Sequence, residues 1–433
     1  MTQPGVPFVA ASAAAPLPHS GIGWLDEARR DNLAAFIQAG LPDTRVEAWK
    51  YTALRALAQR AFEQGDAQAA VRAVDPSLFA LPAVDGPRLV FVNGMFRGDL
   101  SSLSDLPAGL TLQPLSAALA QDPEPLRFAL SRRYRERGDA FASLNAAQAA
   151  DGVVLRVAAG AKVDAPVHLV FIGAATGVDT AWHLRQVIEL AECAELTLVE
   201  QHVGTDGARQ LGTLVADVVL RDGARLHHTV LQDAATDTVL VRRDALTLGA
   251  SAQALLHVLE LGGSLVRHDL QAELAGDGAR FDTRGVFMPR GRQHIDTQLA
   301  IRHQALGTAS SSSWRGVADD RARGVFRGAI VVAPGADGSD ASLNNKNLLL
   351  SPNAEIDTKP ELEIYADEVQ AAHGATVGQL DERALFYLRS RGIPLAEART
   401  LLTAAFCRAV LDDLPDAALR EHLAGLLAAR LPV

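Results

Sequence analysis

Short β-strands that recur at a nearly constant spacing, with small-residue turns between them and no intervening helix, constrain this chain more than any other feature. Between about residues 151 and 380, apolar and polar residues alternate with period two. Trp182, Leu184, Ile188 and Leu190 share one parity, while His183, Arg185 and Glu189 take the other. Ile295, Thr297, Leu299 and Ile301 alternate with His294, Asp296, Gln298 and Arg302, and Leu362 and Ile364 alternate with Glu361, Glu363 and Tyr365. The turns between such strands read Gly160-Ala161, Cys193-Ala194, Gly223-Ala224, Gly249-Ala250 and Gly278-Ala279, their alanines 33, 30, 26 and 29 residues apart. A period in this range predicts a β-solenoid. One rung cannot bury its inward face alone, so stacked neighbours must supply a continuous narrow core. A β-sandwich with long connections would share the strand pattern but has no reason to repeat. The chain is 48% hydrophobic yet only 5% aromatic, as suits a narrow core of small and branched aliphatic side chains.

The flanks read differently. Met1 to Ser20 has a faintly signal-like apolar stretch, but no charge precedes Asp26 and Pro4, Pro7, Pro16 and Pro18 interrupt it, so a disordered lead over 1–20 is expected. Residues 21–150 form a mostly helical region. Leu25, Ala28, Leu33 and Phe36 lie near helical spacing before a stop at Gly40, and Arg45 to Thr52 predicts a second short helix. Within this region Arg88-Leu-Val-Phe-Val-Asn-Gly94 reads as a strand and turn. The solenoid core is assigned to 151–380 and a C-terminal helical region to 381–433. In the latter Ala398, Leu401, Leu402, Ala405, Phe406, Ala409 and Val410 trace one helical stripe, and a second helix follows Pro415.

Composition and missing motifs exclude several functions. The formal charge of −10 argues against nucleic-acid binding, which needs concentrated positive charge. Two cysteines, Cys193 and Cys407, can form neither a disulfide framework nor a four-thiolate metal site within this chain. No run of 18 apolar residues suggests a membrane span, and a cytoplasmic location is expected. There is no phosphate-cradling GxxxxGK[ST] loop, HExxH or GxSxG. Gly276-Asp-Gly-Ala-Arg-Phe and Gly335-Ala-Asp-Gly-Ser-Asp340 read as turns. His227 and His228 are adjacent on a strand and so point to opposite faces; they and the pair His294 and His303 are expected at surface or rung-edge positions. His373 stands apart. It is crowded by small residues in Ala371-Ala-His-Gly-Ala-Thr-Val-Gly378, at the end of the solenoid pattern, where a partner or ligand can approach an imidazole.

The block from Asn344-Asn-Lys-Asn-Leu-Leu-Leu-Ser through Ala354-Glu-Ile-Asp-Thr-Lys-Pro-Glu-Leu-Glu-Ile, Ala366-Asp-Glu-Val, His373-Gly-Ala-Thr-Val-Gly and Phe386-Tyr-Leu-Arg-Ser-Arg-Gly-Ile resembles the SufB/SufD family of Fe–S cluster assembly scaffolds. Glu47-Ala-Trp-Lys-Tyr-Thr and Phe91-Val-Asn-Gly are similar to that family's N-terminal signatures. The resemblance implies a right-handed parallel β-helix core between helical N- and C-terminal regions. It also implies a complex with SufB, through the β-helix end near His373, and with the ATPase SufC, through the C-terminal helices. ATP hydrolysis would belong to SufC, and this chain would be a non-catalytic scaffold. SufB-like chains carry a cysteine in the loop matching Gln370 to His373; here that stretch has none, which is similar to the SufD branch. By the family pattern His373 helps hold iron or a nascent cluster at the SufB interface, shared with partner thiolates and bound only transiently. A homodimer of the isolated chain stays open. Two other readings remain: a β-helix enzyme acting on polysaccharide, against which the scarcity of aromatics and of clustered carboxylates speaks, and a purely structural stabiliser of SufB.

Overall fold

The computed structural model describes residues 6–65, 74–82 and 84–431. Its centre is a parallel β-solenoid of two ten-stranded sheets facing each other. Successive strands alternate between the sheets, so each turn adds one strand to both. From Asp151–Val157 to Glu355–Ile364 the first sheet grows in uninterrupted parallel register; from Lys162–Gly173 to Gln370–Gly378 so does the second, apart from one register shift between Val163 and Val167. Residues 21–150, expected to be mostly helical with one strand, contribute more than that strand: Arg88–Val92 pairs in parallel with Lys162–Gly173 and extends the second sheet, and Leu110–Pro114 pairs antiparallel with Asp151–Val157 and extends the first. The inward rows of both sheets form one long core in which Leu184, Leu214, Leu240, Leu256, Leu270 and Ile295 are almost fully buried.

The turns explain the repeat. Gly160, Cys193, Gly223, Ser251, Gly278, Gly307 and Gly338 form a column at one corner, all with φ between 55° and 74°. Their amides donate up the column, from Gly160 to the Glu192 carbonyl through to Gly338 to the Glu368 carbonyl, at 2.6–2.9 Å. Glycine reaches this left-handed region without a Cβ clash. The next residue in each turn faces inward, and Ala194, Ala224, Ala252 and Ala279 are wholly buried. The fourth turn is therefore centred on Ser251-Ala252 and not on Gly249-Ala250. A serine accepts the left-handed backbone there, because the stack above and below holds it.

Helical layers cover the outer faces. Gly23–Ala39 and Ala140–Gln148 lie over the first sheet, where Phe36, Trp49, Phe141 and Leu144 meet Ala181, Leu211, Val239 and Val241. The lead expected to be disordered contains the helix Pro7–Ala14, and Phe8 and Val9 are buried in this layer against Phe36, Phe62 and Phe141. Proline sits at its first turn, where no intrahelical N–H is needed. The expected second helix over Arg45 to Thr52 is only a 3₁₀ turn, Glu47–Trp49. On the other side, Leu395–Arg408 and Ala417–Ala429 lie on the second sheet, packing Cys407, Val410, Leu411, Leu419, Leu423 and Leu427 against Val199, Leu231, Leu259 and Val286. With both outer faces covered, strand residues of either parity are buried. Among the described residues no helix is long and apolar enough to cross a membrane.

Candidate functional site

The last turn of the solenoid leaves both sheets open. Glu355–Ile364 ends one sheet and Gln370–Gly378 the other, each paired on one side only. Such an edge presents unpaired backbone donors and acceptors and is a natural place for a partner to dock. Tyr365, Ile364 and Val377 are exposed there.

His373 sits at this edge. Strand register places it in the inward row Leu256, Thr283, Ser312, Leu343, His373. With no further turn stacked beyond it, the side chain is exposed, and among the described residues it has no hydrogen bond or ion pair. The segment that carries the family resemblance builds the floor beneath it. Asn345 and Asn347 are buried on the preceding strand. The Asn345 Oδ1 accepts from Thr358 at 2.8 Å and from Asn347 Nδ2 at 2.6 Å, and Asn347 Nδ2 also donates to the Thr376 carbonyl at 3.0 Å. These bonds tie the two edge strands to the strand below and hold the terminal rung in shape.

The N-terminal signature has a different task. Trp49 packs against the Arg267 guanidinium, 4.0 Å from its ring centre, and Arg267 also bonds the Ala48 carbonyl, Asp269 and Asp296. Thr52 donates to Asp296, and Glu47 pairs with Lys359 at 2.5 Å. Glu47 to Thr52 thus clamps the helical layer to the first sheet, reaching as far as the edge strand.

A second polar centre, with no motif to mark it in the sequence, lies inside the solenoid. His228 and His303, expected at surface or rung-edge positions, are both buried, His303 at the end of its strand beside the turn and His228 within the core; only His227 of the adjacent pair is exposed. Between the sheets, Glu200 receives both Arg242 nitrogens and His202 at 2.7 Å, with His228 at 3.3 Å. Arg242 continues to Asp244, Asp244 to His268 at 3.0 Å, and His268 to Glu260 at 3.3 Å; Thr297 donates to Glu260 at 2.5 Å. Burial alone would push His268 down, but its bonds to Asp244 and Glu260 outweigh that and push it up to about 9. Burial opposes the charge of Glu200 too, yet Arg242 and the neighbouring histidines hold its carboxyl well below the usual range. His168, His183 and His303, lacking a carboxylate partner, are pushed down to about 4 by burial. Inward parity at His228, Arg242, Asp244 and His268 was the available signal. Among the described residues, no three of His, Cys, Asp or Glu come together as a metal site.

The C-terminal helices differ from the expected stripe. Thr403, Cys407 and Val410 face the sheet, whereas Leu401, Ala405 and Ala409 point away from it. Phe386, Tyr387 and Leu401 are 73, 56 and 47% exposed. A groove of about 410 Å³, lined by Leu350, Leu385 and Arg399 among others, opens between these helices and the last turns of the solenoid.

Two family models match the chain: the SufBD protein N-terminal region over residues 13–169, and the SUF system FeS cluster assembly SufBD core domain over 171–406. This chain belongs to the SufBD family of SUF iron–sulfur cluster assembly proteins. It is 31% identical over 406 residues to the iron–sulfur cluster assembly protein SufD of Escherichia coli, covering 93% of this chain and 92% of that protein. It is also 31% identical over 399 residues to an iron–sulfur cluster assembly SufBD family protein of Synechocystis, covering 90% and 87%. The SufD of Bacillus subtilis is 28% identical over 289 residues, covering 66% and 65%. The SufBD core model thus covers most of the solenoid, the terminal rung of His373 and most of the helix Leu395–Arg408.

Proposed function

We propose that this chain is the SufD-type scaffold of a cytoplasmic assembly complex. Its open terminal rung joins a SufB-like chain, and its C-terminal helices dock a SufC-like ATPase that performs the ATP hydrolysis. His373 offers an imidazole to iron or the growing cluster at the first interface. The observation that carries this reading is the terminal rung itself: two unpaired strand edges side by side, with an exposed imidazole between them that nothing in the described chain engages. Because no three of His, Cys, Asp or Glu come together as a metal site among the described residues, the remaining ligands would come from the partner, and thiolates are the strong ligands for such clusters. One imidazole in a thiolate set makes a weaker and more proton-sensitive site, which suits a cluster that must be handed on. The outward face of Phe386, Tyr387 and Leu401 supports the second contact, since large apolar side chains left exposed together mark an interaction surface.

Co-purification with SufB-like and SufC-like partners tests this. His373→Ala is expected to leave the three-chain complex intact and to lower bound iron and sulfide together. Undiminished iron and sulfide in the variant would overturn the role of His373 and leave a purely structural stabiliser.

A further inference from the structure

The inward rows between the ionic network and the terminal rung hold polar atoms that the chain does not satisfy. Thr283 Oγ1, Ser312 Oγ, Trp314 Nε1 and Asn345 Nδ2 are buried without a hydrogen-bond partner among the described residues, as is Asp244 Oδ1 within the network itself. The first four are neighbours. Thr283 pairs with Ser312, and Trp314 with Asn345, in strand register, while Ser312 and Trp314 stand two residues apart on one face of one strand. Gly285 makes room for the indole, since a Cβ there would lie 2.2 Å from the Trp314 ring. Across the core, Thr297 is bonded to Glu260, and Phe326, its register neighbour, packs on Trp314. At the far end, Asn345 is bonded to Thr358 on one edge strand, and the Ser312 row runs through Leu343 to His373 on the other.

Orphaned buried polar groups are costly, and four adjacent ones are not the pattern of a dry core. Bound water satisfies such groups, because it both donates and accepts and needs two to four polar partners. The indole and amide nitrogens can only donate, whereas the two hydroxyls can do either, so a water chain can be hydrogen-bonded throughout. An anion fits less well, because the adjoining network sets Glu200, Asp244 and Glu260 against Arg242 and His268, and His202 and His228 are the other titratable groups facing it.

We propose that the solenoid core holds a file of bound water along Thr283, Ser312, Trp314 and Asn345, continuous with the buried network that holds His268.

Deuterium exchange at the histidine ring C2–H, followed by mass spectrometry of the full chain in D2O, reads water access at single histidines. The file predicts measurable exchange at His268 despite its burial. Thr283→Val combined with Ser312→Ala should slow it about tenfold while leaving His168, buried outside the core, unchanged. Unfolding accelerates exchange, so slowing cannot come from a damaged fold, and Ser312→Ala alone serves if the double variant fails to fold. No exchange at His268, an unchanged rate in the variant, or equal slowing at His168 would overturn the proposal. Because the measurement involves no cluster, it can fail without touching the role of His373, and the reverse.

Discussion

Raising the pH above neutrality should loosen this solenoid from within, through His268. Its imidazole is held between Asp244 and Glu260, and its value in the folded chain is about 9 against an ordinary 6.5. A histidine whose value is raised by folding contributes stability that is complete below the ordinary value and disappears as pH rises through the folded one. The separation corresponds to about 3 kcal/mol, lost between roughly pH 6.5 and 9. Other shifted groups leave this window clear. His168, His183 and His303 are pushed down to about 4, so their effect is complete above 6.5, and Cys407, pushed up to about 12 by burial, acts only above the ordinary thiol value of 9. Urea denaturation followed by circular dichroism at intervals from pH 6 to 9.5 measures the loss. His268→Gln should be less stable at pH 6, because two buried carboxylates lose their cation, and should show a nearly flat profile across the window. A wild-type profile flat from pH 6.5 to 9, or a slope that persists in His268→Gln, would refute the assignment.

Other perturbations follow from the packing. Gly285→Ala drives a methyl into the Trp314 ring and should destabilise the chain by about 1–3 kcal/mol, seen as a lower midpoint in urea. Trp49→Ala removes a buried indole and the surface on which Arg267 rests; a cost of about 3–5 kcal/mol is expected, with residues 6–65 released first in limited proteolysis. A thiol reagent at pH 8 should modify the exposed Cys193 in the native chain and spare Cys407, which is buried and whose thiol is pushed up to about 12; equal labelling would contradict the packing of the C-terminal helices. Phe386→Ser should leave stability within about 0.5 kcal/mol but weaken ATPase docking in a pull-down.

The turn column was readable because glycine recurs where the backbone must be left-handed, at Gly160, Gly223 and Gly278. It was misplaced at the fourth turn, where Ser251 adopts the same conformation and composition carries no sign of it. Alternation showed which residues share a face but not which face is inside, since helices cover both outer surfaces. Hence alternation leaves His228 at a surface or rung-edge position, although its parity with Leu226 and Val230 is visible. The burial of Phe8 was hidden by prolines, which end a helix in its interior but open one at its first turn. In Leu395–Arg408 the inward residues Thr403 and Cys407 lack the hydrophobic signature of Leu401, so the outward stripe was the more legible one. His373 was singled out from its small neighbours, and the open rung around it is a property of where the stacking stops, which no local pattern encodes.

The most direct test of the account is pulsed electron paramagnetic resonance on the reduced cluster held by the complex of this chain with its SufB-like and SufC-like partners. Ligation by His373 predicts a nitrogen hyperfine coupling of the imidazole type, which disappears in His373→Ala. Spectra that show sulfur ligation alone, or a nitrogen coupling identical in wild type and variant, would contradict it.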